Sequence, residues 1–227
     1  MGHVEQLKRI GIITGIQQEA KLLRPLIAKL DKDVRPVLRC ADMDVQKAAD
    51  LAQDLVALDV SGLASFGVAG GLDPDLKPGD FVLPTEILKE GAVPIAADEA
   101  WMAALLQKEK PASTRPLISS PVPVTRVEDK AALARDSGAV AVDMESYAIA
   151  EVASKASLPF IAVRVIVDSA DMAIPEIALA GTPFAVMKKA VKKPGDIPAL
   201  LRLGSHMNKA TKTLSSVAGR GLPFFSL

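Results

Sequence analysis

At 227 residues and 49% hydrophobic content, the chain can bury a sizeable core as one large domain or two small ones, and no break in composition favours two. Its 27 basic and 27 acidic residues cancel, which excludes the surplus of Lys and Arg that a nucleic-acid binder uses to neutralise phosphates. Cys40 is the only cysteine, so an intramolecular disulfide and a Cys-rich zinc site are both excluded and a reducing compartment is expected.

The N-terminal Met1 to Arg9 lacks the long apolar core of a signal peptide, and no apolar run approaches the roughly 18 to 20 residues of a spanning helix, so a cytoplasmic protein is expected. The run Ile10-Gly11-Ile12-Ile13-Thr14-Gly15 reads as a strand ending in a tight turn. Behind it Ala20, Leu23, Leu26, Ile27 and Leu30 recur at helical spacing. The unit repeats: Val34 to Leu38 reads as strand, Val45 to Leu58 as helix. Leu63 to Phe66 then reads as a short strand that breaks into the glycine-rich Gly67-Val68-Ala69-Gly70-Gly71, a loop in which positive φ and close approach of a ligand are expected.

Further on, Asp80 to Leu88 reads as one strand, Asp98 to Leu106 and Glu128 to Arg135 as helices, Met144 to Ala156 as a well-patterned helix, and Pro159 to Val167 as a buried strand. Such alternation predicts an α/β fold, a three-layer arrangement with a central, mostly parallel mixed sheet. The last part differs. Ile197, Leu200, Leu203, Met207, Ala210, Leu214 and Val217 form one apolar stripe, with Arg202, Lys209 and Lys212 on the other face; Asp196 is placed to cap and Gly204 to weaken the helix. Residues 181–227 hold eight basic residues against Asp196, whereas residues 1–180 hold 19 basic against 26 acidic. The organisation predicted is a single domain over 1–227, with 183–227 as a basic amphipathic helical extension.

In an open parallel sheet ligands bind outside the carboxyl ends of the strands, where Thr14 to Glu19, Ser65 to Gly71, Val142 to Ser146 and Arg164 to Asp171 fall. The glycine-rich stretch alone is equally a tight connection without a ligand. Asp143 and Glu145 at a strand-to-helix junction read first as a cap and a first-turn acid. Arg164 and Asp168 are different, because both lie in the apolar run Phe160 to Val167 and its end, where a buried charge needs a partner; for Arg164 the candidates are Glu145 and Glu19.

Taken together, Ile10 to Glu19, Gly67-Val68-Ala69-Gly70-Gly71-Leu72 with Lys77-Pro78-Gly79-Asp80, Val142-Asp143-Met144-Glu145-Ser146, and Val163-Arg164-Val165-Ile166-Val167-Asp168 resemble the ordered motifs of the nucleoside phosphorylase superfamily. They are nearest its methylthioadenosine/S-adenosylhomocysteine nucleosidase branch. The stretch Pro194 to Gly204 resembles the C-terminal extension of the hopanoid-biosynthesis-associated members, implicated in removing adenine from adenosylhopane.

That resemblance implies cleavage of the N-glycosidic bond of a 5′-modified purine nucleoside, adenine by preference, in a homodimer or larger assembly, with neither cofactor nor metal. It implies Asp168 as general acid at N7 of the base and Glu19 as the base activating water, held with Ser65 and Arg164. Glu145 accepts from the ribose hydroxyls, Met144 packs beneath the sugar, and Gly67, Ala69 and Gly70 line the substrate. A carboxylate at Glu19 repels phosphate and favours hydrolysis; Arg164 and the glycine-rich loop keep phosphorolysis open. A non-catalytic nucleoside-binding protein is the alternative of another class.

Three departures stand out. Ser120 to Val124 lacks the aromatic that stacks on adenine in the nucleosidases, leaving Phe160 as one substitute; Val167 replaces the Ser before the catalytic Asp; and the chain between Leu88 and Trp101 is short. The shortening predicts an open 5′ side suited to a bulky apolar group. With the basic tail it suggests a lipid-linked nucleoside and peripheral contact at the inner membrane surface, against the alternative that the tail packs on the body.

Overall fold

In the computed structural model, which describes residues 9–175, 178 and 194–221, the chain forms a mixed sheet covered by helices on both faces. The elements in order are β1 (Gly11–Thr14), α1 (Gln17–Ile27), β2 (Val37–Cys40), α2 (Val45–Ala57), β3 (Leu63–Gly71), β4 (Phe81–Val82), β5 (Glu86–Leu88), β6 (Ile95–Ala96), α3 (Glu99–Leu106), β7 (Leu117–Ser119), α4 (Val127–Ser137), β8 (Ala141–Asp143), α5 (Ser146–Lys155), β9 (Phe160–Asp168) and α6 (Ile197–Gly221).

The strand order is β2-β1-β3-β8-β7-β5-β6, with β9 pairing to β3 and β4. Pairs β1–β2, β1–β3, β3–β9, β5–β7 and β7–β8 are parallel; β3–β8, β4–β9 and β5–β6 are antiparallel. β9 is buried along its whole length, which is why its sequence reads as a continuous apolar run rather than an alternating one. Ala48, Ala52 and Leu55 of α2 and Ile149, Ala150 and Ala153 of α5 pack on one face of the sheet. Leu23 and Ile27 of α1, Met102 and Leu105 of α3, and Ala210, Leu214 and Val217 of α6 fill the other. The glycines allow close layers: a Cβ on Gly11 would lie 2.8 Å from both Leu55 Cδ1 and Leu63 Cδ2.

Several expectations are corrected. The glycine-rich segment is strand, not loop: β3 runs through Gly67, Gly70 and Gly71, and none of these has positive φ, which among the described glycines is confined to Gly79, Gly91 and Gly138. Pairing with β9 along nearly all of β3, and with β8 at Gly70 and Gly71, satisfies its backbone and holds it extended. The single strand expected over Asp80 to Leu88 is two, because Pro84 interrupts the ladder between β4 and β5. Gly204 does not break α6, which is continuous for 25 residues behind a short 3-10 turn at Pro194–Asp196.

The second half of α6 is part of the core: Ala210, Leu214, Val217 and Ala218 are buried, Thr213 Oγ1 donates to Gly79 O at 3.0 Å, and Arg220 pairs with Glu109. Its first turns stand out from the body, with Ile197 and Leu201 exposed. No described helix is long and apolar enough to cross a membrane. Residues 183–193, with the basic Lys188, Lys189, Lys192 and Lys193, lie outside the described residues.

Candidate active site

Glu19 is the third residue of α1, and its carboxylate folds back on the start of its own helix. Oε2 accepts from Gly15 N at 2.9 Å and Ile16 N at 3.0 Å, while Oε1 reaches across the sheet to Val68 N at 2.8 Å. The bonds to Gly15 and Ile16 give the acidic half of a capping box. A carboxylate offers about four acceptor positions, so these three leave one position on Oε1 among the described residues. A Cβ on Gly67 would lie 2.6 Å from Oε1, so the glycine is required by Glu19 itself. Burial pushes the Glu19 carboxyl above its ordinary range, against the charge of Arg164 and the three N–H bonds.

Arg164 is 2% exposed, and its partner is neither Glu19 nor Glu145. Asp143 Oδ2 accepts from Arg164 Nε at 2.9 Å and Nη2 at 2.7 Å; Asp143 Oδ1 accepts from Ser119 Oγ at 2.5 Å. Arg164 Nη2 also donates to Ser65 Oγ and Ser146 Oγ, and Nη1 to Val163 O. Asp143 is thus the counter-charge of Arg164, and its helix-capping contact to Ser146 N is long, at 3.4 Å. The paired charges sit in neighbouring strands across β3, a proximity that sequence order hides. Ser65 is engaged by Arg164 and Ser146, and Arg164 acts on Glu19 through its charge.

Glu145 sits at the N-cap of α5, 7% exposed, with Gly15 against it: a Cβ there would be 3.4 Å from Oε2. Burial, then the neighbouring Asp143, pushes its carboxyl up to about 7, opposed by Arg164. Met144 is half-buried in the bend between β8 and α5.

At the far end of β9, Asp168 is 1% exposed. The register of β3 against β9 shifts between Ala69 and Gly70, so that Asp168 lies opposite Gly70 rather than Gly71. Such bulges re-aim side chains next to active sites. Here the shift lays the Asp168 carboxylate over Gly70, where a Cβ would be 3.2 Å from Oδ2. Gly67 and Gly70 thus mark two carboxylates, Glu19 and Asp168, about 10 Å apart along one strand.

The fold has known counterparts. Residues 24–199 match the family described as the Phosphorylase superfamily. The chain belongs to the phosphorylase superfamily. Among solved structures it is similar to futalosine hydrolase of Helicobacter pylori at 17% identity and TM-score 0.76, covering 96% of this chain and 98% of that one. It is also similar to the 5′-methylthioadenosine/S-adenosylhomocysteine nucleosidases of Neisseria meningitidis (20% identity, TM-score 0.74, covering 95% and 99%) and of Helicobacter pylori (17%, 0.73, covering 97% and 98%). The fold is therefore the three-layer nucleosidase-like one, and the chain is an enzyme of the phosphorylase superfamily.

Two residues of this superfamily member escaped the reading of its sequence. Lys130 of α4, fully buried, makes an ion pair with Asp168 Oδ2 and donates to Ser169 O and Met172 O, each at 2.9 Å. In Glu128-Asp129-Lys130 it reads as part of a solvated charge run. The available signal was its phase: Val127, Lys130, Ala131 and Ala134 share one helical face. His206 of α6 is the other; it lies near Asp168, and its buried Nδ1 has no hydrogen-bond partner among the described residues.

Phe160 is corrected as a stacking substitute. It is buried at the opposite end of β9, roughly 26 Å of strand from Asp168. Val124 packs with Leu72, Ile118 and Val142. A cleft of 660 Å³ between the β5–β6 connection and α5, lined by Val93, Tyr147, Lys155 and Phe160, holds none of the expected site residues.

Proposed function

We propose that the chain hydrolyses the N-glycosidic bond of a 5′-modified adenine nucleoside, with Glu19 taking a proton from the attacking water and Asp168 protonating the departing base at N7. Glu145 accepts from the ribose hydroxyls and favours positive charge on the sugar, and Met144 packs beneath it. The observation that carries hydrolysis over phosphorolysis is the engagement of the donors. The backbone N–H groups of Gly15, Ile16 and Val68 are taken by the Glu19 carboxylate, and the Arg164 guanidinium is neutralised by Asp143. A phosphate would need these same N–H groups and that positive charge.

The experiment is adenine release with and without inorganic phosphate. Equal rates support hydrolysis, and strict dependence on phosphate sinks it. Asp168→Asn separates an enzyme from a nucleoside-binding protein: kcat is expected to fall by roughly 10²-fold or more with little change in KM, and turnover at the original rate would remove Asp168 from the chemistry.

For the substrate, the reading is a bulky apolar 5′ group such as the hopane of adenosylhopane. It rests on the resemblance of the C-terminal extension and on Ile197 and Leu201, which α6 leaves in solvent at 41% and 71% exposure. A panel of 5′-modified adenosines including a lipid-linked one tests it; preference for 5′-methylthioadenosine over the lipid-linked compound refutes it. Contact with a membrane surface through the same turns is tested by flotation of the Ile197→Ser/Leu201→Ser variant with anionic liposomes, since equal partitioning of variant and parent refutes it. Assembly into a homodimer or larger is tested by light scattering on the eluting protein.

A further inference from the structure

The chemistry proposed above asks Asp168 to carry a proton, yet its partner is a buried cation. Lys130 Nζ has three acceptors within hydrogen-bond reach: Asp168 Oδ2, Ser169 O and Met172 O. An ammonium has three N–H donors and no acceptor, so it satisfies all three at once when Asp168 is ionised, whereas a neutral amine does so only against a protonated Asp168 that donates to it. The ion-paired form, ammonium with carboxylate, is the starting state of the proposal that follows. The other titratable groups near the carboxylate are His206 on α6 and, two residues beyond Ser169, Asp171, which accepts from Ser169 Oγ.

We propose that Lys130 is a positioning residue for departure of the base: it holds Asp168 over Gly70 and supplies, through Asp168, the proton that the leaving purine takes up. The inference rests on the role of Asp168 given above. As the C1′–N9 bond breaks, its electron pair moves into the purine. Asp168 takes a proton from the Lys130 ammonium and passes it to N7. Lys130 is left as a neutral amine and the sugar carries the positive charge, so total charge is unchanged. Water then adds to C1′ and loses a proton to Glu19. Glu19 returns a proton to solvent and Lys130 regains one.

Two features favour the transfer. Moving the proton replaces a buried ion pair by a neutral pair, so the step separates no charge in a water-excluded site. Burial already holds the Asp168 carboxyl above its ordinary range in spite of Lys130. The two carbonyls that Lys130 also binds belong to the turn following β9, so the same ammonium fixes the segment that aims Asp168.

The test compares Lys130→Met, Lys130→Arg and Asp168→Asn on 5′-methylthioadenosine and on p-nitrophenyl β-D-riboside, whose leaving group departs as a stable anion and needs no proton. Lys130→Met is expected to lose roughly 10²-fold in kcat on the nucleoside while keeping most of its turnover of the nitrophenyl riboside, and Lys130→Arg to recover part of the loss. Equal kcat of Lys130→Met and the parent on the nucleoside overturns the inference, as does an equal loss on both substrates, which marks a merely structural lysine. If Asp168→Asn also leaves the nucleoside reaction unchanged, the reading of Asp168 fails first; if only Lys130→Met does, this inference fails alone.

Infrared difference spectra, with Asp168→Asn to assign the band, need no turnover. The parent is expected to show no protonated Asp168 carboxyl at neutral pH, and Lys130→Met to gain one. A protonated Asp168 band in the parent overturns the inference even where Lys130→Met does not fold.

Discussion

At the scale of single residues, the site carries a cost that pH exposes. Glu145 in the unfolded chain gives up its proton near 4.5, whereas in the folded protein it holds it up to about 7. Between those values the folded state binds more protons, so stability falls as the pH rises from about 4.5 to about 7, and the full penalty, on the order of 3 kcal/mol, is present above that. Glu145→Gln is therefore expected to unfold at higher denaturant than the parent at pH 8, with the gap closing below pH 5, while losing activity. Denaturant titrations at the two pH values check this, and a gap independent of pH refutes it. Gly67 gives a second prediction. Gly67→Ala places a Cβ 2.6 Å from Glu19 Oε1, so the carboxylate must shift from its present position, and kcat is expected to drop by roughly 10²-fold. Glu19, Glu145, Arg164 and Asp168 were legible because each stands in a recognisable motif; Lys130 stands in none, and only its phase with Val127, Ala131 and Ala134 set it apart from its charged neighbours.

At the scale of elements, the informative pair is β8 with β9. Arg164 and Asp143 each occupy a buried strand position where a lone charge is untenable, and they meet because β3 lies between their strands. Asp143→Ala is expected to destabilise by about 3–5 kcal/mol, because it strands a buried guanidinium; equilibrium unfolding measures it. The sequence showed that Arg164 needed a partner but offered two nearby-looking acids that were wrong. Helix α6 divides in the same informative way. Its stripe is continuous in sequence, yet only the part from Ala210 on is buried. Leu214→Ala is expected to cost about 2–5 kcal/mol and Leu201→Ala to stay within about 0.5 kcal/mol. Equal effects of the two would mean that the start of the helix is buried in solution.

At the scale of the whole molecule, the extension is not an appendage. Because Leu214 and Val217 share a cluster with Leu23, Phe66 and Val163, removing everything after Gly195 is expected to expose that cluster and yield an aggregating or poorly folded chain. Point changes at Ile197 and Leu201 are therefore the cleaner probe of any surface role. The ion pair of Arg220 with Glu109 and the packing of Lys209 on Gly79 tie basic tail to body, the arrangement that the opposite charges of the two parts favour.

By itself the sequence determined the layers and the family: apolar runs of strand length alternating with 3.6-residue periodicity mark the helices and the long buried strands, and four ordered motifs mark the superfamily. Those are local properties of the chain. Only the tertiary structure decided that β3 runs straight through its glycines, that Glu19 is held by backbone of the β1–α1 turn and of β3, that Asp143 neutralises Arg164, and that Lys130 stands behind Asp168. Each depends on which strands lie side by side and on a one-residue register shift, and pairing across a sheet leaves no trace in the order of residues along it.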